Sequence, residues 1–297
     1  MRHAATNPVS LFDPRCTNTV AMASPQEHAP RYQTVVIAND AQVPFHDKRA
    51  LQLLMLFLRR ERPDWLILNG DFMDFWEIST YDVTPRSKTE FVKEIEIGKR
   101  ILRSFRKILP HARITWIEGN HEFRLRKYLI QNAPELYGMR GLSVPDLFSL
   151  EELSIEYVPC HKLATRFTDN FIRVGKLHVG HWDRVSKHAG YAAKQLVEDK
   201  GVSVLQGHTH RFGAHARSTV DGRVLLGIEN FCLCSRRQSY INYGNWQLGF
   251  SVVYVHPRSG KFHWFPILIK NDYQFIWKNK LFSLTGVKSL KRNEGAK

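Results

Sequence analysis

Two aspartates, an asparagine and three histidines stand where a metal site would need them. Asp40, Asp71, Asn120, His181, His208 and His210 each follow a short apolar run, several with a glycine beside them (Gly70, Gly119, Gly180, Gly207). These oxygen and nitrogen donors suit manganese, iron, zinc or nickel, and no thiolate stands among them. His208 and His210 are separated by one residue, so in an extended segment both rings point to one side and can reach two adjacent ions. Two divalent ions about 3.5 Å apart repel by on the order of 19 kcal/mol at an effective dielectric of about 20, so an anion must lie between them. Asp71 is the candidate. A hydroxide shared by the same ions would complete the neutralisation. Coordination lowers the pKa of water from about 15.7 toward 7, so no serine or cysteine nucleophile is required.

The elements that must hold these residues are readable from periodicity. Thr34–Asn39 is a β-branched apolar run, and Asp47 caps a segment with Leu51, Leu54, Met55 and Leu58 at helical spacing. Trp65–Leu68 and Ile114–Ile117 repeat the strand signal. Between them, Ser87 and Glu90 form a capping box before Phe91, Ile95, Leu102 and Phe105. From Phe171 on, strands dominate: 171–174, 177–179, 202–205, 224–228, 252–255 and 262–265, with a single helix near 189–199. This order predicts a mixed sheet, or two packed sheets with helices outside, in one domain. The chemistry-bearing residues fall just past strand ends, the edge at which open α/β sheets bind ligands.

Composition narrows the setting. No run reaches the roughly eighteen apolar residues of a membrane helix; the richest, Leu51–Leu58, lies between Arg49 and Arg59. Residues 1–33 carry prolines and small polar residues without the apolar block of a secretory signal, and read as a disordered tail. The domain is expected over 34–270, and 271–297 as a basic tail. The four cysteines Cys16, Cys160, Cys232 and Cys234 show neither zinc-ribbon spacing nor disulfide density, which fits a reducing, cytoplasmic setting. Cys232 and Cys234 face one side of an apolar stretch and read as packing residues. A formal charge of +15 attracts polyanions, with nucleic acid a candidate partner. Nothing in the sequence speaks to oligomeric state.

Asn39-Asp40-Ala41-Gln42, Gly70-Asp71-Phe72-Met73-Asp74, Gly119-Asn120-His121-Glu122 and Gly207-His208-Thr209-His210 resemble, in order and spacing, the signatures of calcineurin-like metallophosphoesterases. Asp183–Tyr191 and Glu229–Phe250, with Asn245-Trp246 and Gly249-Phe250, resemble a branch found in phages and prophages. The similarity runs from about Thr34 to Ile269. It implies an α/β/β/α sandwich: two packed mixed β-sheets flanked by helices. It also implies two divalent metal ions, Asp40, Gln42, Asp71 and His210 holding one and Asp71, Asn120, His181 and His208 the other. His121 would be the general acid that protonates the leaving oxygen of a phosphate mono- or diester, with Glu122 either orienting it or capping a helix.

One position departs from the pattern, because the family's first signature reads Asp-x-His and this chain has Gln42. A carboxamide oxygen binds borderline metals more weakly than an imidazole, so that ion is expected to be held less tightly and to be a harder one such as manganese. His46 is a possible stand-in but is expected to line the cleft or face solvent. Among His178, His181 and His188, His181 sits past a strand end as the other ligands do. Arg124, Lys187 and His188 are candidate substrate contacts, against the plainer reading of solvated surface residues. The competing function is a nucleic-acid-binding protein that retains the fold without turnover. Gln42 and the basic segment Lys288–Lys297 favour it; the presence of Asp71, His121, His208 and His210 weighs against it.

Overall fold

In the first strand Val35 and Ile37 point to one face and Val36 and Ala38 to the other, and all four are buried. A strand covered on both faces needs a layer on each side, and the chain supplies a helical layer on one and a second sheet on the other. The structure is a computed structural model that describes residues 31–79, 89–160, 167, 170–235 and 244–284. Its elements run β1 (Gln33–Ala38), α1 (Lys48–Glu61), β2 (Trp65–Asn69), α2 (Thr89–Ile108), β3 (Arg113–Ile117), α3 (Phe123–Asn132), α4 (Val144–Leu147) and β4 (Ile155–Val158). There follow β5 (Phe171–Val174), β6 (Leu177–Gly180), α5 (Tyr191–Lys200), β7 (Ser203–Gln206), β8 (Phe212–Ser218), β9 (Val224–Asn230), β10 (Leu248–Val255) and β11 (Phe262–Ile269). A hairpin of β12 (Gln274–Trp277) and β13 (Lys280–Ser283) closes the described chain.

The strands form two mixed sheets, ordered β11-β10-β1-β2-β3-β4 and β5-β6-β7-β9-β8. Within them β1 to β4 are parallel, as are β6, β7 and β9, while β10, β11, β5 and β8 run antiparallel to their neighbours. The sheets face each other through Val35, Ile37, Ile67 and Val253 on one and Val179, Leu205 and Ile228 on the other. The outer face of the first sheet is covered by Leu54, Phe57 and Leu58 of α1 and Leu102 and Phe105 of α2. Leu196 and Val197 of α5 cover the second. The layering is therefore α/β/β/α, as the resemblance implies. Asp47 caps α1 as expected, accepting from the backbone N–H of Arg49 and Ala50. Ser87, the other expected cap, lies outside the described residues, as do Cys16 and the expected tail up to residue 30.

The expected end of the folded chain at residue 270 needs correction. The β12–β13 hairpin buries Phe275, Trp277 and Phe282 against Phe57 of α1, with ring centroids 5.4–6.0 Å apart. Trp277 Nε1 and Lys278 Nζ both donate to Glu61, and Tyr273 OH donates to Asp47. Lys278 and Lys280, two of the residues that mark this segment as a basic tail, lie on the outside of the hairpin, and residues 285–297 lie outside the described residues. Among the described residues no helix is long and apolar enough to cross a membrane.

Candidate metal centre

Parallel strands deliver their following loops to one edge, and here both sheets do so at the same place. Asp40 and Gln42 follow β1, Asp71 follows β2, Asn120 and His121 follow β3, His181 follows β6, and His208 and His210 follow β7. Asp71 Oδ2, from the first sheet, lies 3.2 Å from Nε2 of His181, from the second. Asp40 Oδ1 lies 3.1 Å from Nε2 of His210. The Asn120 carboxamide oxygen is 2.8 Å from Nδ1 of His208 and 3.2 Å from Nε2 of His181.

Two groups of three emerge from these distances, Asp71–His181–His208 and Asp40–Asp71–His210, the donor atoms within each lying within 4.8 Å of one another. Asp71 belongs to both. The donors are carboxylate, imidazole and carboxamide, a set that fits borderline to hard divalent ions, with a shared anion between two positions.

The backbone is bent to aim these side chains. Asp40, Gln42, Asp71, His208 and His210 all have positive φ, between 48° and 73°. Each such residue costs on the order of 1–3 kcal/mol and persists only where its surroundings over-determine it. The bracing is visible: Asp40 accepts the His208 N–H, and Asp71 Oδ1 accepts the His121 N–H at 2.9 Å. Glu122, wholly buried, accepts from the backbone N–H groups of Asp71, Gly119 and Met73 at 2.8–2.9 Å. Glu122 therefore neither orients His121 nor makes a side-chain cap; it ties the two metal-site loops together. Gly70 has φ 79°, and a Cβ there would overlap the His181 ring.

Charge in the cluster is tightly balanced. Burial raises Asp71, and the surrounding rings of His121, His181 and His208 more than reverse it, leaving it well below the usual carboxylate range. Burial lowers His181, but Asp71 and Asp40 outweigh it and push the ring up to about 10. Burial also opposes protonation of His210, which Asp40 lifts to about 9. His208 goes the other way, lowered by burial and by His181. Protons on His181 and His210 occupy the lone pairs that metal ions need, so the two compete.

The remaining expected residues divide. Gln42 is in the cluster, its carboxamide nitrogen 3.4 Å from Nε2 of His210 and 3.5 Å from Nε2 of His121. Turning the amide over presents its oxygen to the same place. His121 is buried, with Nδ1 3.1 Å from the Asp74 carbonyl and Nε2 facing Asp71 at 3.7 Å. Arg124 also reaches the site: its Nη2 lies 3.0 Å from Nε2 of His121 while Nη1 donates to the Asp74 carbonyl. Lys187 and His188 do not join it. Both are exposed on the loop before α5, where His188 meets Tyr191 and the Lys187 carbonyl accepts from Arg211. His46 is half-buried beside Pro44 and Arg100, lining a separate cavity of about 440 Å³.

The motifs brought Asp74 into view without a role. It is buried, ion-paired with Arg124 at 3.2 Å, and pushed up to about 7 chiefly by burial. Cys234 read as a packing residue in preference to a metal ligand, yet its sulfur lies 3.4 Å from Nδ1 of His210. Trp246 packs edge-on against the same ring, with centroids 4.4 Å apart.

The chain is 26% identical over 247 residues to the Gene 54 protein of Mycobacterium phage L5, covering 79% of this chain and 93% of that one. The Gene 54 protein of Mycobacterium phage D29 is 27% identical, with the same coverage. Among solved structures, Yfce, a phosphoesterase from E. coli, overlaps 79% of this chain and 100% of its own at 10% identity and a TM-score of 0.35. A dimetal phosphatase from Danio rerio overlaps 81% and 100% at 12% identity and the same score. These structural overlaps are too slight to carry chemistry from one chain to another. Residues 33–212, which hold every strand-end residue of the cluster, match the sequence profile described as calcineurin-like phosphoesterase, and the chain belongs to that family.

Proposed function

We propose that the chain is a phosphoesterase that holds two divalent ions and hydrolyses phosphate mono- or diesters, with nucleotides or nucleic acid as the favoured substrate class. The single observation that carries this reading is the membership of Asp71 in both donor groups. A lone ion needs no shared carboxylate; two adjacent ions do. Proteins of the family bind divalent metals, and manganese suits the carboxamide-bearing side at Gln42. Asp40, Gln42, Asp71 and His210 would hold one ion, and Asp71, Asn120, His181 and His208 the other. Such a pair supplies positive charge to phosphoryl oxygens and acidifies water enough for attack at neutral pH.

The chain's own residues handle the leaving group. His121 gives its Nδ1–H to the Asp74 carbonyl, which leaves Nε2 turned into the site. Burial drives its pKa down to about 3, with Asp71 opposing and Arg124 adding to the fall. A phosphate anion beside Nε2 favours the imidazolium and offsets that burial, so the ring gains its proton where the leaving oxygen needs one. Arg124, within hydrogen-bond reach of the same nitrogen, is placed to pair with a phosphoryl oxygen. The net charge of +15 draws polyanionic substrates toward the surface.

The test is hydrolysis of p-nitrophenyl phosphate, its bis ester and single- and double-stranded DNA with added manganese, for wild type and His121→Ala. The variant is expected to keep its metal content while turnover slows by roughly a hundredfold or more. Salt-sensitive DNA binding without manganese-dependent hydrolysis of any of these substrates would instead favour a binding protein.

A further inference from the structure

Behind His210, on the side away from Asp40, lies a group of soft ligands that the phosphoesterase chemistry does not use. After β9 the chain runs through two isolated bridges, Cys232 with Leu248 and Cys234 with His46. Alternation sends both side chains the same way, toward the His210 ring. Both cysteines are fully buried. Cys234 Sγ is 3.4 Å from His210 Nδ1, and a ring nitrogen of His210 and the two sulfurs lie within 4.8 Å of one another. A tetrahedral ion with bonds of about 2.3 Å to sulfur and about 2.0 Å to nitrogen sets its S···N ligand separation near 3.5 Å. The pair already stands at coordination spacing.

We propose that Cys232, Cys234 and Nδ1 of His210 form a binding site for a thiophilic ion such as Zn²⁺, Cd²⁺ or Cu⁺, and that this site competes with the Asp40 side of the centre for His210. Two thiolates and an imidazole are the donors such ions prefer over carboxylate and carboxamide. On binding, the two thiol protons and the Nδ1 proton pass to solvent, and Nε2, given up by the departing Asp40-side ion, takes one proton from solvent and donates it to Asp40 Oδ1, which lies 3.1 Å away. The ring then no longer offers Nε2 to the Asp40–Asp71–His210 group. A soft ion would thus switch off one half of the centre from behind, without entering the substrate cleft. The thiol site stands on its own geometry; only the competition rests on the two-ion reading given above.

The test is titration of Cd²⁺ into reduced, full-length protein preloaded with Mn²⁺. Thiolate-to-metal charge-transfer absorption reports the sulfur ligands, and electron paramagnetic resonance reports free Mn²⁺. Wild type is expected to develop the band to saturation at one equivalent while Mn²⁺ content falls from two ions to one. The Cys232→Ser/Cys234→Ser variant should lose the band and keep its Mn²⁺, and Cys16→Ser/Cys160→Ser should behave as wild type. Should the double serine variant not fold, Cys232→Ala and Cys234→Ala separately should each weaken Cd²⁺ binding at least about tenfold. No charge-transfer band in wild type, or an undiminished one without Cys232 and Cys234, overturns the site. A band with no release of Mn²⁺ overturns the competition for His210. If wild type binds no Mn²⁺ at all, the two-ion reading fails, while the absorption alone still decides the thiol site.

Discussion

Asp71, Asn120, His181 and His208 on one side and Asp40, Gln42, Asp71 and His210 on the other share a carboxylate and a bent backbone, yet their supporting shells differ. His181 is fully buried and its Nδ1 lies 2.9 Å from the Asn69 carbonyl, a strong acceptor that fixes the tautomer and leaves Nε2 for an ion. Among the described residues, His210 has only the Cys234 sulfur behind its Nδ1, at 3.4 Å. A thiol is a weak acceptor, so it orients the ring less firmly and adds less to its basicity. The first side sets two imidazoles against one carboxamide; the second has one imidazole and a carboxamide at Gln42. Under the proposed two-ion reading, two half-sites with the same backbone logic would differ in how tightly and how selectively they hold an ion.

Removing what the halves share should have the largest effect. Asp71→Asn is expected to lower metal content from two ions and to reduce hydrolysis by roughly a thousandfold, read by elemental analysis and by the manganese-dependent assay. Retention of two tightly held ions would show that the carboxylate is not shared. Breaking one half at a time should be unequal. His181→Ala should weaken its ion about a hundredfold, and Gln42→Ala should weaken the other less than tenfold, both by equilibrium dialysis. Equal losses would erase the distinction between the halves.

Proton competition is expected to sharpen the contrast further. With His181 pushed up to about 10 and His210 to about 9, each half must give up one proton per ion, so apparent affinity rises about tenfold per pH unit below those values. Between pH 9 and 10 only the His181 half should still gain. The smallest change is expected from Gln42→His, which should tighten the second half by less than tenfold, under about 1.4 kcal/mol. Calorimetric titration with Mn²⁺ reads both effects.

The part of the fold legible in advance was the part whose signal is local. β1, β2, β3 and the covered faces of α1 and α2 announce themselves by period and by β-branched residues. The strands that escaped notice, β4 and β8, are sheet edges: Glu156 in one and His215 and Arg217 in the other break the apolar pattern, as edges do to discourage further pairing. The β12–β13 hairpin was hidden behind Lys278 and Lys280, because charge on the outer face masks a run whose alternate residues are buried. In the site, Asp40, Asp71, Asn120, His121, His181, His208 and His210 stood out because each ends a strand signal. Glu122 and Arg124 stood out without their partners and Cys234 read only as packing, since what they touch is remote: Glu122 accepts from Met73 and Arg124 donates to Asp74.

By itself the sequence determined which donors are present, their order and the strand ends that carry them, because those depend on residue type and short-range period. The tertiary structure alone decided that Asp71 stands between two groups, that Lys187 and His188 stay outside and that two thiols back His210. Those facts turn on segments such as Asp40 and His208, 168 positions apart, meeting within hydrogen-bond distance. Two sheets must close on each other before any such distance exists, and no local pattern encodes it.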